Sequence, residues 1–329
     1  MLLSTSLLLA VAAFPSPVAN AVPVPPCGSI LVVNTIIGGL PTTCATPFAY
    51  QIGAPGITVS CGAAAPKVIT GTGANLGFVN PGFANVTIRN CVMQKFFIGF
   101  DLLGVANNHL INDQALLNSG TGFNIFKVVF STFTKDVATS NSGDGFNETY
   151  GVSNQYGGDV ARSNLVNGFE FIGSTTTPTN DLVFSSTSVG NSASGFALTS
   201  TSGSTFVSDT ANNNHLDGFF LRFGSNGNLL TSNTATINGV AGVAGAGFEI
   251  DSSGLNQVVN NVAKKNIAYG IHLDANTFQN KIFVNADNVN GLFDRIDNSG
   301  GPYTLGTNNF WGGNAPVWPI AHTFPAGLP

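Results

Sequence analysis

Apolar residues along this chain come two apart, in runs of three or four, and each run gives way to Gly, Asn, Ser or Asp. In "GFALTSTSGSTFVSDTANNNHLD", Gly195 to Asp217, Phe196 and Leu198 alternate with small residues. That is the pattern of a half-buried strand. "TFV" at Thr205 to Val207 predicts a second strand, and a third falls near Thr210. No such unit holds a stretch long enough, or free enough of Gly and β-branched residues, to make a helix.

The unit repeats. Gly-Phe pairs start at Gly77, Gly99, Gly122, Gly145, Gly168, Gly195, Gly218 and Gly247, and Gly270-Ile271 and Gly291-Leu292 extend the series. Steps run from 21 to 29 residues, and five of the nine are 23. A period held this well means a solenoid. Three short strands per period, without an LxxLxL pattern, predict an all-β, single-stranded right-handed parallel β-helix of about ten coils of about 23 residues. Equivalent residues then stack one strand spacing apart, about 4.8 Å. The Phe residues become an aromatic column inside the coil. Asn118, Asn141, Asn164, Asn191, Asn214 and Asn266 become an amide ladder whose members also tolerate a left-handed turn. The Gly before each Phe is expected to supply a backbone conformation that a Cβ would hinder. Two steps are long. The extra residues fall in "STTTPTN" and "NGVAGVAGAG", loops expected to project from one face.

Residues 1–21 read as an export signal with a short apolar core and a small-x-small cleavage site, although the usual n-region cation is missing. Residues 22–76 read as an N-terminal cap, 77–300 as the repeats and 301–329 as a C-terminal cap carrying Trp311, Trp318 and five prolines. In an exported chain the four cysteines suggest two disulfides, Cys27–Cys44 and Cys61–Cys91. Secretion is the expected localisation, and no later run is apolar and long enough for a membrane helix.

Only 8% of the 329 residues are charged and the net charge is −5. This excludes a basic nucleic-acid face. Asp113, Asp136 and Asp159 recur at 23 residues, and Asp209 holds the same place in its unit. Bonding to backbone N–H groups at a turn is the expected role, with an external calcium site as the alternative; no other cofactor is implied. Glu148 stands at an inward position otherwise held by Leu102, Ile125 and Phe171, so a bulge or register shift is expected there, with a buried carboxyl of raised pKa as the alternative. Asn85 and Asn147 match the glycosylation acceptor pattern. His109, His215 and His322 stand apart from other chemistry.

The segments "CGSILVVNTIIGGLPTTC", "YQIGAPGITVSCGA", "VTIRNCVMQKFFIGFDL", "NHLINDQALLNSGTGF" and "GTNNFWGGN" resemble secreted right-handed parallel β-helix repeat proteins of the pectate-lyase-like superfamily. The resemblance spans nearly all of the chain after its first residues and implies the fold. It does not select an activity, since the superfamily hosts lyases, hydrolases, epimerases and proteins without known reaction. The polygalacturonase-type Asn-Thr-Asp, Asp-Asp, Gly-His-Gly and Arg-Ile-Lys motifs are absent, as is the C5-epimerase Asp-Pro-His-Asp.

Outward positions on the later Gly-Phe strands carry the chemistry. One expected column is Phe220, Glu249, His272 and Phe293; its neighbour is Arg222, Asp251, Asp274 and Arg295. Asp251, Asp274, His272 and Glu249 are the candidate catalytic groups, because stacked carboxylates can raise one another's pKa. Phe220, Arg222, Phe293 and Arg295 are candidate sugar contacts, with the loop from Asn238 to Gly247 as a wall. The first expectation is binding of an extracellular polysaccharide or cell-surface glycan without catalysis. The second is a polysaccharide lyase or hydrolase, and the third an adhesive rod.

Overall fold

A computed structural model describes residues 24–39, 42–62, 66–299, 309–313 and 323–324. The expected export signal, Trp318, His322 and most of the C-terminal cap lie outside these residues.

Each coil contributes one short strand to each of three faces. Among the described residues the faces hold thirteen, twelve and eleven strands. Every strand pairs in parallel with its counterparts in the coils before and after. The first face runs from Ser29–Leu31 to Thr323–Phe324, the second from Thr35–Ile36 to Phe310–Gly312, and the third from Thr42–Thr43 to Ala286–Asn288. The expected parallel β-helix is therefore the fold, with about eleven turns and no helix among the described residues.

The aromatic column lies on the first face, pointing in. Phe100, Phe123, Phe146, Phe169, Phe196, Phe219 and Phe248 pair in register, their ring centroids 4.5 to 4.9 Å apart and within 7° of parallel. Burying each ring contributes about 2 kcal/mol or more, and stacking about 0.5–1.5 kcal/mol per pair. The Gly before each Phe is there for space rather than for φ. A Cβ at Gly145 would stand 2.6 Å from the Gly168 carbonyl oxygen and 2.8 Å from Asn164 Nδ2.

Each corner of the triangular coil uses one residue at positive φ, followed by one whose side chain turns inward. Leu117 (φ 53°) precedes Asn118, Ser140 (φ 55°) precedes Asn141 and Ser163 (φ 53°) precedes Asn164. The ladder Asn does not take the left-handed turn itself, which corrects the expectation; its predecessor does. This leaves the amide free to point along the coil axis. Nδ2 of Asn118, Asn141, Asn164, Asn191, Asn214 and Asn266 each donates to an Oδ1 of the next coil at 2.8 to 3.1 Å. Asn238 and Asn290 complete the row.

A second corner carries the Asp column. The backbone N–H groups of Cys91, Asp113 and Asp136 donate to Oδ1 of Asp113, Asp136 and Asp159 at 2.7 to 2.8 Å. All three side chains are sealed inside the coil. They form a structural ladder rather than a surface calcium site. Asp209 continues it, and Asn233, Asn261 and Asn285 replace Asp in later coils. The third corner holds Asn108, Ser131, Asn154, Asp181, Ser204, Asn228, Asn256 and Asn280 in the same role.

Glu148 contradicts its expected bulge. It sits in register between Ile125 and Phe171, fully buried. Tyr156 Oη donates to its Oε2 at 2.5 Å and Asn154 Nδ2 at 3.1 Å, and burial pushes its pKa up. Polar partners inside the coil replaced the register shift. The N-terminal coils are tied by Cys27–Cys44 and Cys61–Cys91, as expected.

Candidate functional site

The outward side of the first face changes character at Phe220. Strands Phe219–Arg222, Ala246–Ile250 and Tyr269–Leu273 are in register, so Phe220, Glu249 and His272 form one column. Glu249 Oε2 lies 2.7 Å from His272 Nδ1, and the side chains are only 13% and 12% exposed. The Asn298 amide nitrogen is 3.1 Å from the other ring nitrogen, Nε2. The Tyr269 ring is 4.6 Å from the imidazole, tilted by 49°.

These groups line a cleft of about 330 Å³ together with Asp217, Asp251, Asp274, Ala244 and Ala246. Ala244 comes from the longer of the two inserted loops, which forms a wall where one was expected. Four carboxylates and one histidine face the space, and no Lys or Arg lines it. Burial pushes Glu249 up to about 7 against the opposing pull of His272. Asp217 is pushed up to about 6 by burial, although the Ala246 N–H donates to it at 2.7 Å. For His272 burial acts downward. The bond to Glu249 and the charges of Glu249, Asp274 and Asp217 outweigh it and raise the imidazole. Glu249 and His272 thus titrate as one pair that holds a proton near neutrality.

The structure brings Phe220, Glu249, His272, Asp251 and Asp274 together and leaves three expected neighbours out. Arg222 turns away, toward earlier coils. Its Nε donates to Thr199 Oγ1 at 2.9 Å, its Nη2 is 3.5 Å from Glu170, and its guanidinium lies 5.3 Å from the centre of the Phe220 ring. Burial, only partly offset by Arg222, pushes Glu170 up to about 7. Arg295 pairs with Ile271 and is buried in the Phe column, where its Nε and Nη2 each donate to Asp287 at 2.6 Å. Phe293 pairs with Tyr269 and is not in the Phe220 column. The last coil is shifted relative to the expected register, because Asp294 rather than Gly291 stands opposite Gly270. Asp217 and Tyr269 were missed. Each directly precedes the Gly of its coil, as Asp144 and Asn167 do, three places ahead of the first outward column. Elsewhere, His109 bonds Thr132 Oγ1 at 2.8 Å on the second face, far along the chain from the cleft residues.

The family model described as "Right handed beta helix region" matches residues 161–310. No curated protein sequence matches the chain. Among solved structures, the A-module of the Azotobacter vinelandii mannuronan C-5 epimerase AlgE6 is 15% identical, with a TM-score of 0.62 over 87% of this chain and 89% of that one. A mutant of the periplasmic alginate epimerase AlgG is 13% identical, with a TM-score of 0.60 over 81% of this chain and 70% of its own. The catalytic unit of a GH87 alpha-1,3-glucanase from Streptomyces thermodiastaticus is 10% identical, with a TM-score of 0.57 over 89% of this chain and 64% of its own. The likeness is one of fold: the chain folds as a right-handed parallel β-helix.

Proposed function

We propose that this is a secreted protein that binds an uncharged extracellular polysaccharide in the Phe220–Asp274 cleft and hydrolyses it. The observation that carries the reading is the Glu249–His272 pair, set among three aspartates in a cleft whose described lining holds no Lys or Arg. A lyase or epimerase acting on a uronate must neutralise the substrate's carboxylate, and among the described residues no Lys or Arg lines the cleft to do so. Hydrolysis of a neutral glycosidic bond needs what the cleft offers: a protonated acid beside an ionised carboxylate. Glu249, with its pKa near 7, is the proton donor to the leaving oxygen. Asp251 and Asp274, on adjacent coils and lining the same cleft, are the partner carboxyls. His272 holds the donor's proton, and the Phe220 ring offers a face to a sugar. Fold neighbours include both alginate epimerases and a glucanase, and the absent Asp-Pro-His-Asp motif favours the hydrolytic branch. Two disulfides support an oxidising compartment.

The test is to incubate the purified protein with α- and β-glucans, xylan, alginate and polygalacturonate, and to measure reducing ends and unsaturated products. Reducing ends from a neutral glycan, lost in Glu249→Gln, are expected. Unsaturated products from a uronate overturn the reading. Binding without any product returns the protein to a non-catalytic glycan binder, and absence of both leaves an adhesive rod.

A further inference from the structure

The shorter of the two insertions also walls a cleft, one remote from Glu249 and His272. About 250 Å³ is enclosed by Lys127, Tyr150, Gly151, Val152, Ser174 and Thr177. The insertion is anchored at its root. Thr179 is buried, and its Oγ1 lies 3.0 Å from the Ser202 carbonyl oxygen and 2.7 Å from Ser204 Oγ. The wall is therefore a fixed part of the coil. Opposite it Tyr150 is 47% exposed, a large ring left open to solvent at a corner with positive φ. Its ring meets Phe126 edge-on at 6.2 Å, and the Lys127 ammonium lies 5.1 Å from the Phe126 ring centre.

No carboxylate lines this cleft, which sets it apart from the acidic cleft on the first face. In a chain of net charge −5 with only 11 cations, a lysine beside an open aromatic ring and two hydroxyl-bearing side chains is a distinct chemistry. Below the floor, Glu148 would touch any side chain at Gly151. It is bonded inward to Tyr156 and Asn154, and burial raises its pKa, which keeps its charge low beneath a bound anion.

We infer that this cleft is a second ligand site, for a pyranose that bears a carboxylate or sulfate. The ring face packs on Tyr150, the acidic group meets Lys127, and Ser174 and Thr177 contact hydroxyls. A neutral chain worked on at one cleft and an anionic chain held at the other would place the protein on a mixed extracellular matrix. The second site stands independently of the hydrolytic reading.

Calorimetry on the full protein with trigalacturonate, a sulfated oligosaccharide and maltotriose tests it, at low and at high salt. Binding of one or both anionic probes is expected, weakened by salt, with maltotriose weaker by about tenfold or more. Lys127→Met should cost about tenfold in affinity at an unchanged melting temperature, Lys127→Arg should restore most of it, and Tyr150→Asn should lose it. Glu249→Gln should leave it intact. The inference is overturned if neither anionic probe binds, if maltotriose binds equally well, or if Lys127→Met leaves affinity unchanged.

Discussion

The Asp113 backbone N–H donates to Asp136 Oδ1 at 2.7 Å, one coil further on, and the groups that face Asp136 are backbone N–H donors and the carboxylates of Asp113 and Asp159. Burial comes first among the causes that raise all three, and it pushes Asp113 and Asp209 up to about 8. A carboxyl with a raised folded-state pKa keeps its proton in the native state while the unfolded chain, with a pKa of about 3.9, releases it. Stability is therefore full below about pH 4, declines as pH rises, and levels off above about pH 8. The melting temperature should be clearly lower at pH 8 than at pH 5. Asp136→Asn copies Asn233 of the same column and should raise the melting temperature at pH 8 while changing little at pH 4. Equal pH profiles for the two proteins would refute this.

The cleft should show a different dependence. With Glu249 as proton donor and its pKa near 7, hydrolysis should fall as pH rises through about 7. Glu249→Gln should cut turnover about 10²–10⁴-fold. His272→Gln should move the alkaline limb of the profile to higher pH, since His272 pulls the pKa of Glu249 down against burial. A limb that stays in place in the His272 variant would remove histidine from the proton chemistry.

Asn164→Ala should destabilise by about 1–3 kcal/mol. The substitution strips the acceptor from Asn141, whose N–H and Nδ2 lie 3.0 and 2.9 Å from Asn164 Oδ1, and the donor to Asn191. Asn276 is the control. It is exposed at φ 64°, so Asn276→Gly removes the amide without backbone strain and should cost only a few tenths of a kcal/mol. Equal urea midpoints would show that the ladder carries no weight.

Replacing Cys61 and Cys91 with Ser should cost about 3 kcal/mol, because the bond closes a 30-residue span between adjacent coils. Non-reducing peptide mapping of the native protein should return the Cys27–Cys44 and Cys61–Cys91 pairs, and crossed pairs would contradict the structure.

The fold was readable because its period is fixed by stacking: a coil that dropped a Phe or an Asn would leave a gap in a buried row. The cleft was readable up to Asp274 for the same reason, since outward positions follow from inward ones. Reading failed at Arg295, where Gly291-Leu292 was taken as the next Gly-Phe pair. A better signal was available. Asn118 and Gly122 are four apart, as are Asn266 and Gly270, and four beyond Asn290 is Asp294. That rule puts Arg295 in the Phe column. At Glu148 the sequence leaves a bulge and a buried acid both open, and the structure takes the second. Its acceptance into the core depends on Tyr156 and Asn154, which reach it only in three dimensions.

The three corners differ along the length of the coil. Before Asn228 one corner holds only Asp and Ser and another mixes them with Asn, whereas from Asn228 onward Asn256, Asn280, Asn233, Asn261, Asn285, Asn238, Asn266 and Asn290 fill all three. An amide both accepts from one coil and donates to the next; a carboxylate only accepts. Pulled along its axis, the molecule should thus yield first in its N-terminal half, like a spring wound from two gauges of wire. Glu249 and His272 sit on the stiffer gauge, where a short proton path is best protected from thermal stretching.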